Sequence, residues 1–472
     1  MSYINQLPIL NNIIDSFKIN NLLSHKEKDD VELSMGSLID NFITGDPLGY
    51  SNIHFEYNLK EYVFNSVFLL LKNVYENEEL LKNELECIYE NITQVYFKKY
   101  YPPRSYDTTF VRNTNIDKNR LKELITNKIV NIENKPQPEQ RTADWYKFRY
   151  NLITASSGWK VFKSQSTINQ LVVEKCKELD VSKFDSINTN TPMHHGNKYE
   201  DVSIMLYECI YKTKVKDYGC IQHEKYDFIG ASPDGIVIDS TSSRYGRMLE
   251  IKNPTTRELT GIPKEDYWIQ MQLQMETCNL NECDFLETVF KEYDSKEEFI
   301  EDGTFTYTKK DELKGIIIYF IKDGKPLYEY MPLYMTEKEF EIWEENIMDK
   351  YTNLTWIKNI YWRLEDFSCV LVLRNKLWFE HAIPKMENVW NIIEKERQIG
   401  YEHRLPKKQN RCSRSNSITD TTEQIENKCL INVDNLKNQI IYIDTNFELD
   451  PKFEIDIKNK IDISDISDNL IL

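Results

Sequence analysis

Asp234, Glu250 and Lys252 are the residues of this chain whose types and spacing best suit chemistry. Ser232-Pro233-Asp234-Gly235 reads as a turn, Ile236 to Asp239 as a strand, and Met248 to Lys252 as a second strand. Side chains alternate along a strand, so Glu250 and Lys252 share one face while Ile251 turns into the core. If the two strands pair as a hairpin, Asp234 at the start of the first lies near the end of the second. Two carboxylates and an amine then converge. Oxygen donors of this kind suit a hard divalent cation, and the lysine can meet the charge of a phosphate under attack. Singly, each is an ordinary turn or strand-surface residue.

Two helices must hold the flanks. Gly196 to Glu200 open a stretch with apolar residues at Tyr199, Val202, Met205, Leu206, Cys209 and Ile210, a helical spacing. Glu200 stands at the edge of that stripe, where an unpaired carboxylate is costly unless a cation or donor meets it, so it is a candidate third acid. Downstream, YWIQMQLQMETC reads as a helix with Gln270 and Gln274 one turn apart on one face and Tyr267 close by. Glutamines there can hold a water or a scissile phosphate without adding charge.

The ordered set Glu200, Ser-Pro-Asp234-Gly, Glu250-Ile-Lys252, Gln270 resembles the PD-(D/E)-x-K nuclease superfamily. Within it, the likeness is to the YqaJ-type viral recombinase, or phage lambda exonuclease, family. It starts at Arg141-Thr142-Ala143-Asp144-Trp145, continues through Phe148-Arg149 and Ile153-Thr154-Ala155-Ser156, and runs to about Cys283. The resemblance implies that Asp234, Glu250 and the main-chain carbonyl of Ile251 bind Mg2+ or Mn2+, with Glu200 at or near a second ion. Lys252 would position and activate the attacking water, Gln270 would order the same region, and Gln272 would face away. Arg149, Ser156, Ser232 and Arg257 match the family's pocket for a strand's 5′-phosphate. Two cations about 4 Å apart can neutralise a phosphodiester, generate hydroxide and stabilise the departing oxygen. An arginine fork and serine hydroxyls suit a terminal phosphate.

With 472 residues the chain can form a large core, and its 40% hydrophobic content is globular. Nine cysteines, an odd number without a C-x-x-C pair, argue for reduced thiols rather than a disulfide framework or structural zinc. Adjacent His194 and His195 point apart on most backbones, which disfavours a shared metal. No membrane-spanning run appears, and Met1 to Leu10 lacks the positive region and long apolar core of a signal peptide. The expected location is intracellular: host cytoplasm, viral factory or nucleus. The net charge of −17 is unusual for a protein that handles DNA, but twelve acidic and five basic residues from Ser415 to the end place part of it in the tail. Arg149, Lys160, Lys163, Arg244, Arg247, Lys252 and Arg257 make the surroundings of the proposed site basic.

The expected architecture is α/β: a restriction-endonuclease-like core with a central mixed sheet flanked by helices, over residues 141–400. A mainly helical N-terminal domain precedes it over 1–132, with Leu59 to Asn73 and Glu79 to Lys98 as its clearest helices and Tyr101-Pro102-Pro103 as a break. Residues 133–140 read as a proline-bearing linker. Phe285 to Phe290 and Gly315 to Ile321 read as strands. Thr336 with Glu339 forms a capping box, and a helix is expected from Pro384 to Gly400. Residues 401–472 hold a basic run, readable as a localisation signal, a DNA tether or a linker, and an acidic tail expected to be disordered or a docking peptide. The function this implies is a metal-dependent deoxyribonuclease working 5′ to 3′ from linear duplex ends in viral recombination, repair or genome processing. A single-strand annealing protein and a second copy of the chain are the expected partners. An endonuclease or single-strand nuclease of the same fold is the rival within enzymes; a non-cleaving DNA-binding scaffold is the rival outside them.

Overall fold

The structure, a computed structural model, describes residues 22–110, 117–180, 188, 189 and 191–406. The readings of Met1 to Leu10, of nearly all the basic run and of the acidic tail fall outside the described residues.

Among the described residues three helices come first: α1 (His25–Gly45), α2 (Phe55–Leu71) and α3 (Glu78–Lys99). Ser24 and Glu27 close a capping box on α1, and Val31, Met35, Ile39 and Ile43 recur every fourth residue to form its buried stripe. β1 (Tyr106–Asp107) and α4 (Lys118–Glu133) follow. The helices among them share a core with described residues between Ile153 and Ile393. The Arg104 side chain, 1% exposed, donates to the carbonyls of Tyr50 and Pro263, while the Trp268 indole donates to the carbonyl of Arg104 at 3.0 Å. The 133–140 segment is tied down: the Gln137 side chain accepts from Gly219 N–H at 3.1 Å, and that of Gln140 donates to the Tyr218 carbonyl at 2.8 Å.

After it come α5 (Ala143–Tyr150), β2 (Ile153–Thr154), α6 (Ala155–Gly158), α7 (Gln165–Cys176) and α8 (Pro192–Tyr211). The strands β3 (Val215–Lys216), β4 (Ile221–Gln222), β5 (Ile229–Ala231), β6 (Gly235–Val237) and β7 (Met248–Lys252) lead to α9 (Glu265–Cys278) and β8 (Glu282–Glu292). The chain then forms α10 (Lys296–Glu301), β9 (Lys314–Lys322), β10 (Lys325–Tyr330), α11 (Glu337–Lys350), β11 (Thr355–Leu373) and α12 (Lys376–Ile399).

An eight-stranded mixed sheet runs β10-β9-β11-β8-β7-β6-β3, with β1 paired to β11. β2, β5 and β4 make a small second sheet. β6 and β7 are antiparallel, with Gly235 opposite Leu249; β7 and β8 are parallel, with Glu250 beside Phe285 and Lys252 beside Glu287. A parallel pair needs a crossover, and α9 supplies it, laying Gln274 against Glu250 of β7. On the other face, Leu249 and Ile251 pack with Tyr207 of α8. β7 is thus covered on both sides, which is why its middle residues are buried, Glu250 included.

The expected capping box forms on α11. α12 differs from its expected bounds: Asn375 caps it, its side chain accepting from Trp378 N–H, and Pro384 lies inside rather than at the start. The helix accommodates this proline one turn beyond Phe379 and Glu380 while keeping Trp378, Phe379, Ala382, Ile383 and Met386 in the core.

Candidate active site

Asp234 leaves the turn just before β6. Gly235 follows because there is no space for a side chain: a Cβ there would stand 2.2 Å from Val215. β6 stops pairing with β7 at Leu249, so the next edge-facing N–H, that of Ile251, donates instead to Asp234 Oδ2 at 2.7 Å. A residue in a strand presents its N–H and C=O to the same edge, so the Ile251 carbonyl also faces the Asp234 side. On the opposite face of β7, Glu250 is fully buried; one carboxylate oxygen takes the Lys252 ammonium and the other accepts from Gln274 Nε2 of α9 at 2.6 Å. Glu200 on α8 is held from outside by Arg141 at 2.8 Å.

The electrostatics show an acid excess. Burial pushes Asp234 well above the usual carboxylate range, and the neighbouring charge of Glu250, with Glu200, pushes the same way against the pull of Lys252. Burial also raises Glu200, partly offset by Arg141. For Lys252, burial works against the ammonium, but Glu250 and Asp234 outweigh it and hold the amine above its usual range.

Among the described residues, no three His, Cys, Asp or Glu side chains stand as a ready ligand set for a metal ion. The Glu250 oxygens are engaged by Lys252 and Gln274, and Asp234 Oδ2 by main chain. The donor chemistry nonetheless fits a hard divalent cation: carboxylate oxygens whose mutual repulsion one ammonium leaves uncompensated. Oε1 of Gln274 is buried without a hydrogen-bond partner among the described residues, an acceptor that a cation-bound water would satisfy.

A second cluster forms where α5, α6 and the turn after β5 meet. The Arg149 guanidinium donates to Ser156 Oγ at 3.0 Å and Ser232 Oγ at 3.4 Å, and stacks over Trp145 at 4.1 Å; the Trp145 indole also donates to Ser232 at 3.3 Å. Ser232 is two residues before Asp234, so one turn joins the two clusters. Arg149, Ser156 and Ser232 are therefore together. Arg257 is held elsewhere: it pairs with buried Glu287 of β8 and lies 5.4 Å from the Tyr267 ring, the ring that also faces Lys252 at 5.2 Å.

Some of these placements are not legible in the sequence. Gln274, not Gln270, bonds Glu250: both lie on one face of α9, but Gln274 is the deeper, 0% exposed, while Gln270 is half-buried. Gln272 faces away from Glu250, its amide spanning the Leu373 carbonyl and the Asn375 N–H. Arg244 and Arg247 are not part of a basic surface; they are buried against Asp284, while Lys160 and Lys163 pair with Glu174 and Glu265. His194 and His195 lie inside α8, where His194 Nε2 meets the Tyr328 hydroxyl at 2.6 Å and His195 packs on Tyr199. Trp145 was legible only as part of a motif. Its spacing of four from Arg149 is the signal that places both on one helical face.

Residues 144–281 match the family model of the YqaJ-like viral recombinase domain. An uncharacterized protein of Acanthamoeba polyphaga mimivirus is 32% identical over 336 residues, a match covering 63% of this chain and 57% of that protein. The chain thus spans just over half the length of this curated relative. Among solved structures, an alkaline exonuclease (LHK-Exo) from Laribacter hongkongensis is similar at 18% identity with a TM-score of 0.33, covering 56% of this chain and 97% of that one. The structure of LHK-Exo in complex with dAMP gives the same values. Among the described residues, no helix is long and apolar enough to cross a membrane.

Proposed function

We propose that this chain, which carries a YqaJ-like viral recombinase domain, is a metal-dependent deoxyribonuclease that degrades one strand of linear duplex DNA from its 5′ end. The observation that carries this reading is the convergence of Asp234, Glu250 and Lys252 where β6 and β7 part, with Gln274 locking Glu250 from behind. Asp234, Glu250 and the Ile251 carbonyl would hold Mg2+ or Mn2+, with Glu200 toward a second ion; when bound, such ions lower the pKa of water and neutralise the phosphodiester.

The chain's own groups divide the remaining work. Lys252, kept protonated by its acid neighbours, meets the phosphate charge and orients the nucleophile rather than taking its proton. Gln274 fixes the Glu250 carboxylate so that its oxygens keep one direction. Arg149, Ser156 and Ser232 form a donor set for a terminal phosphate, one short turn from Asp234. Arg257, beside Tyr267 and Lys252, serves the phosphate nearer the point of cleavage.

End-labelled duplex incubated with Mg2+ and followed on a gel tests the reading. Loss of nucleotides from 5′-phosphorylated ends, with circular DNA resistant, is the expected result. Preferential cutting of circles would favour an endonuclease, and no cleavage of any DNA would overturn the enzyme.

A further inference from the structure

Behind the Arg149 cluster lies a set of cations that do not reach its mouth. The last carbonyls of a helix lack intrahelical partners, and α5 ends at Tyr150. Lys175 of α7, 6% exposed, donates to the Arg149 carbonyl at 2.8 Å. Arg397, in the last turn of α12, donates to the Tyr150 carbonyl at 2.8 Å, to the Asn151 side chain at 3.3 Å and to the Lys175 carbonyl at 2.9 Å, with its guanidinium 4.4 Å from the Tyr150 ring. One arginine outside residues 144–281 thus ties the ends of α5 and α7 together.

We propose that Lys175 and Arg397 are positioning residues: they fix Arg149 from behind and supply the positive field by which this pocket prefers a terminal phosphate to an internal one. This rests on the terminal-phosphate reading of Arg149, Ser156 and Ser232. Burying an ammonium is unfavourable, and an apolar side chain would fill the Lys175 position without that penalty. Here burial depresses the Lys175 amine to about 8, and Arg149, Arg397 and Lys160 act on it in the same direction. The opposing acid, Glu174, is exposed and shared with Lys160 at 2.7 Å. A group of like charges gathered with so little compensation favours an anion. A terminal phosphomonoester carries about −1.5 to −2 at neutral pH, against −1 for a diester. Charges one layer back discriminate between the two without touching either.

The test uses the full chain and fluorescence anisotropy with 5′-phosphorylated and 5′-hydroxyl duplexes in Ca2+, alongside circular dichroism to confirm folding. Wild type is expected to prefer the phosphorylated end about tenfold, a difference of about 1.4 kcal/mol. Lys175→Met is expected to cut that preference at least about threefold while affinity for the hydroxyl end stays within about twofold. Arg397→Lys, which keeps charge but loses the fork, is expected to cut it less than Arg397→Gln does. Folded variants that keep the full preference overturn the inference alone. A wild-type protein that does not distinguish the two ends overturns it together with the reading on which it rests.

Discussion

Two buried acid clusters sit on neighbouring strands of one sheet, and they are solved in opposite ways. Asp284 on β8 is fully buried, but two arginines and a phenol close on it: Arg244, Arg247 at 3.1 Å and the Tyr207 hydroxyl at 2.6 Å. Burial still raises its pKa, and both arginines pull it back. On the Asp234 side, Arg141 holds Glu200 from outside, which leaves Asp234 and Glu250 with one lysine between them, and Asp234 is driven up by burial and by its own acid neighbours. Burial is common to both. What separates the closed structural ion pair from the candidate site here is whether the fold itself completes the compensation.

The sharpest way to break this comparison is to neutralise each acid in turn. Asp234→Asn is expected to lower cleavage by at least about a thousandfold, as loss of a catalytic electrostatic group does, while DNA binding measured by anisotropy is retained. Undiminished activity would remove Asp234 from the chemistry. In chelator the same variant is expected to melt at a higher temperature than wild type, because it removes a charge the cation-free fold does not compensate. Asp284→Asn is expected to do the reverse, lowering stability by about 3 kcal/mol in urea unfolding by stranding Arg244 and Arg247. A neutral or stabilising result there would show the arginines to be solvated and the contrast to be false.

The pH dependence follows from the same asymmetry. The folded-state pKa of Asp234 lies above its unfolded value, so between the two the folded chain keeps a proton that the unfolded chain releases. Stability of the cation-free protein is therefore expected to fall as pH rises through that window, and Asp234→Asn is expected to flatten the fall in melting-temperature profiles. Lys175 runs the other way. Its amine is lowered to about 8 in the fold, so stability is regained as pH rises from about 8 toward the ordinary lysine value. Lys175→Met is expected to be more stable than wild type by up to about 3 kcal/mol below pH 8, with an advantage that shrinks above it.

Much of the acid site was readable before the fold because its logic is local. A turn ending in Asp234, a strand with two-residue alternation and a helix with four-residue spacing place their side chains with little help from tertiary structure. Depth is not local. Gln270 and Gln274 share a face, and only the crossing of α9 over β7 decides that Gln274 meets Glu250. Likewise Arg244 and Arg247 look like surface charge until Asp284, 37 residues beyond Arg247, comes to lie beside them. β11 escaped notice because Lys358, Arg363, Glu365 and Asp366 interrupt its alternation; the strand irregularities at Trp356/Lys358 and Leu364/Asp366 absorb the interruptions as it changes partners from β9 to β8. Arg397 lies more than 240 residues from the helix it secures, and no spacing rule could reveal that contact.

The central claim is that Asp234 and its neighbours are built to be completed by a divalent cation. Calorimetric titration of Mn2+ into DNA-free wild type and Asp234→Asn tests it most directly. Saturable binding by wild type that Asp234→Asn abolishes is the predicted result, and equal binding by the two proteins would contradict it.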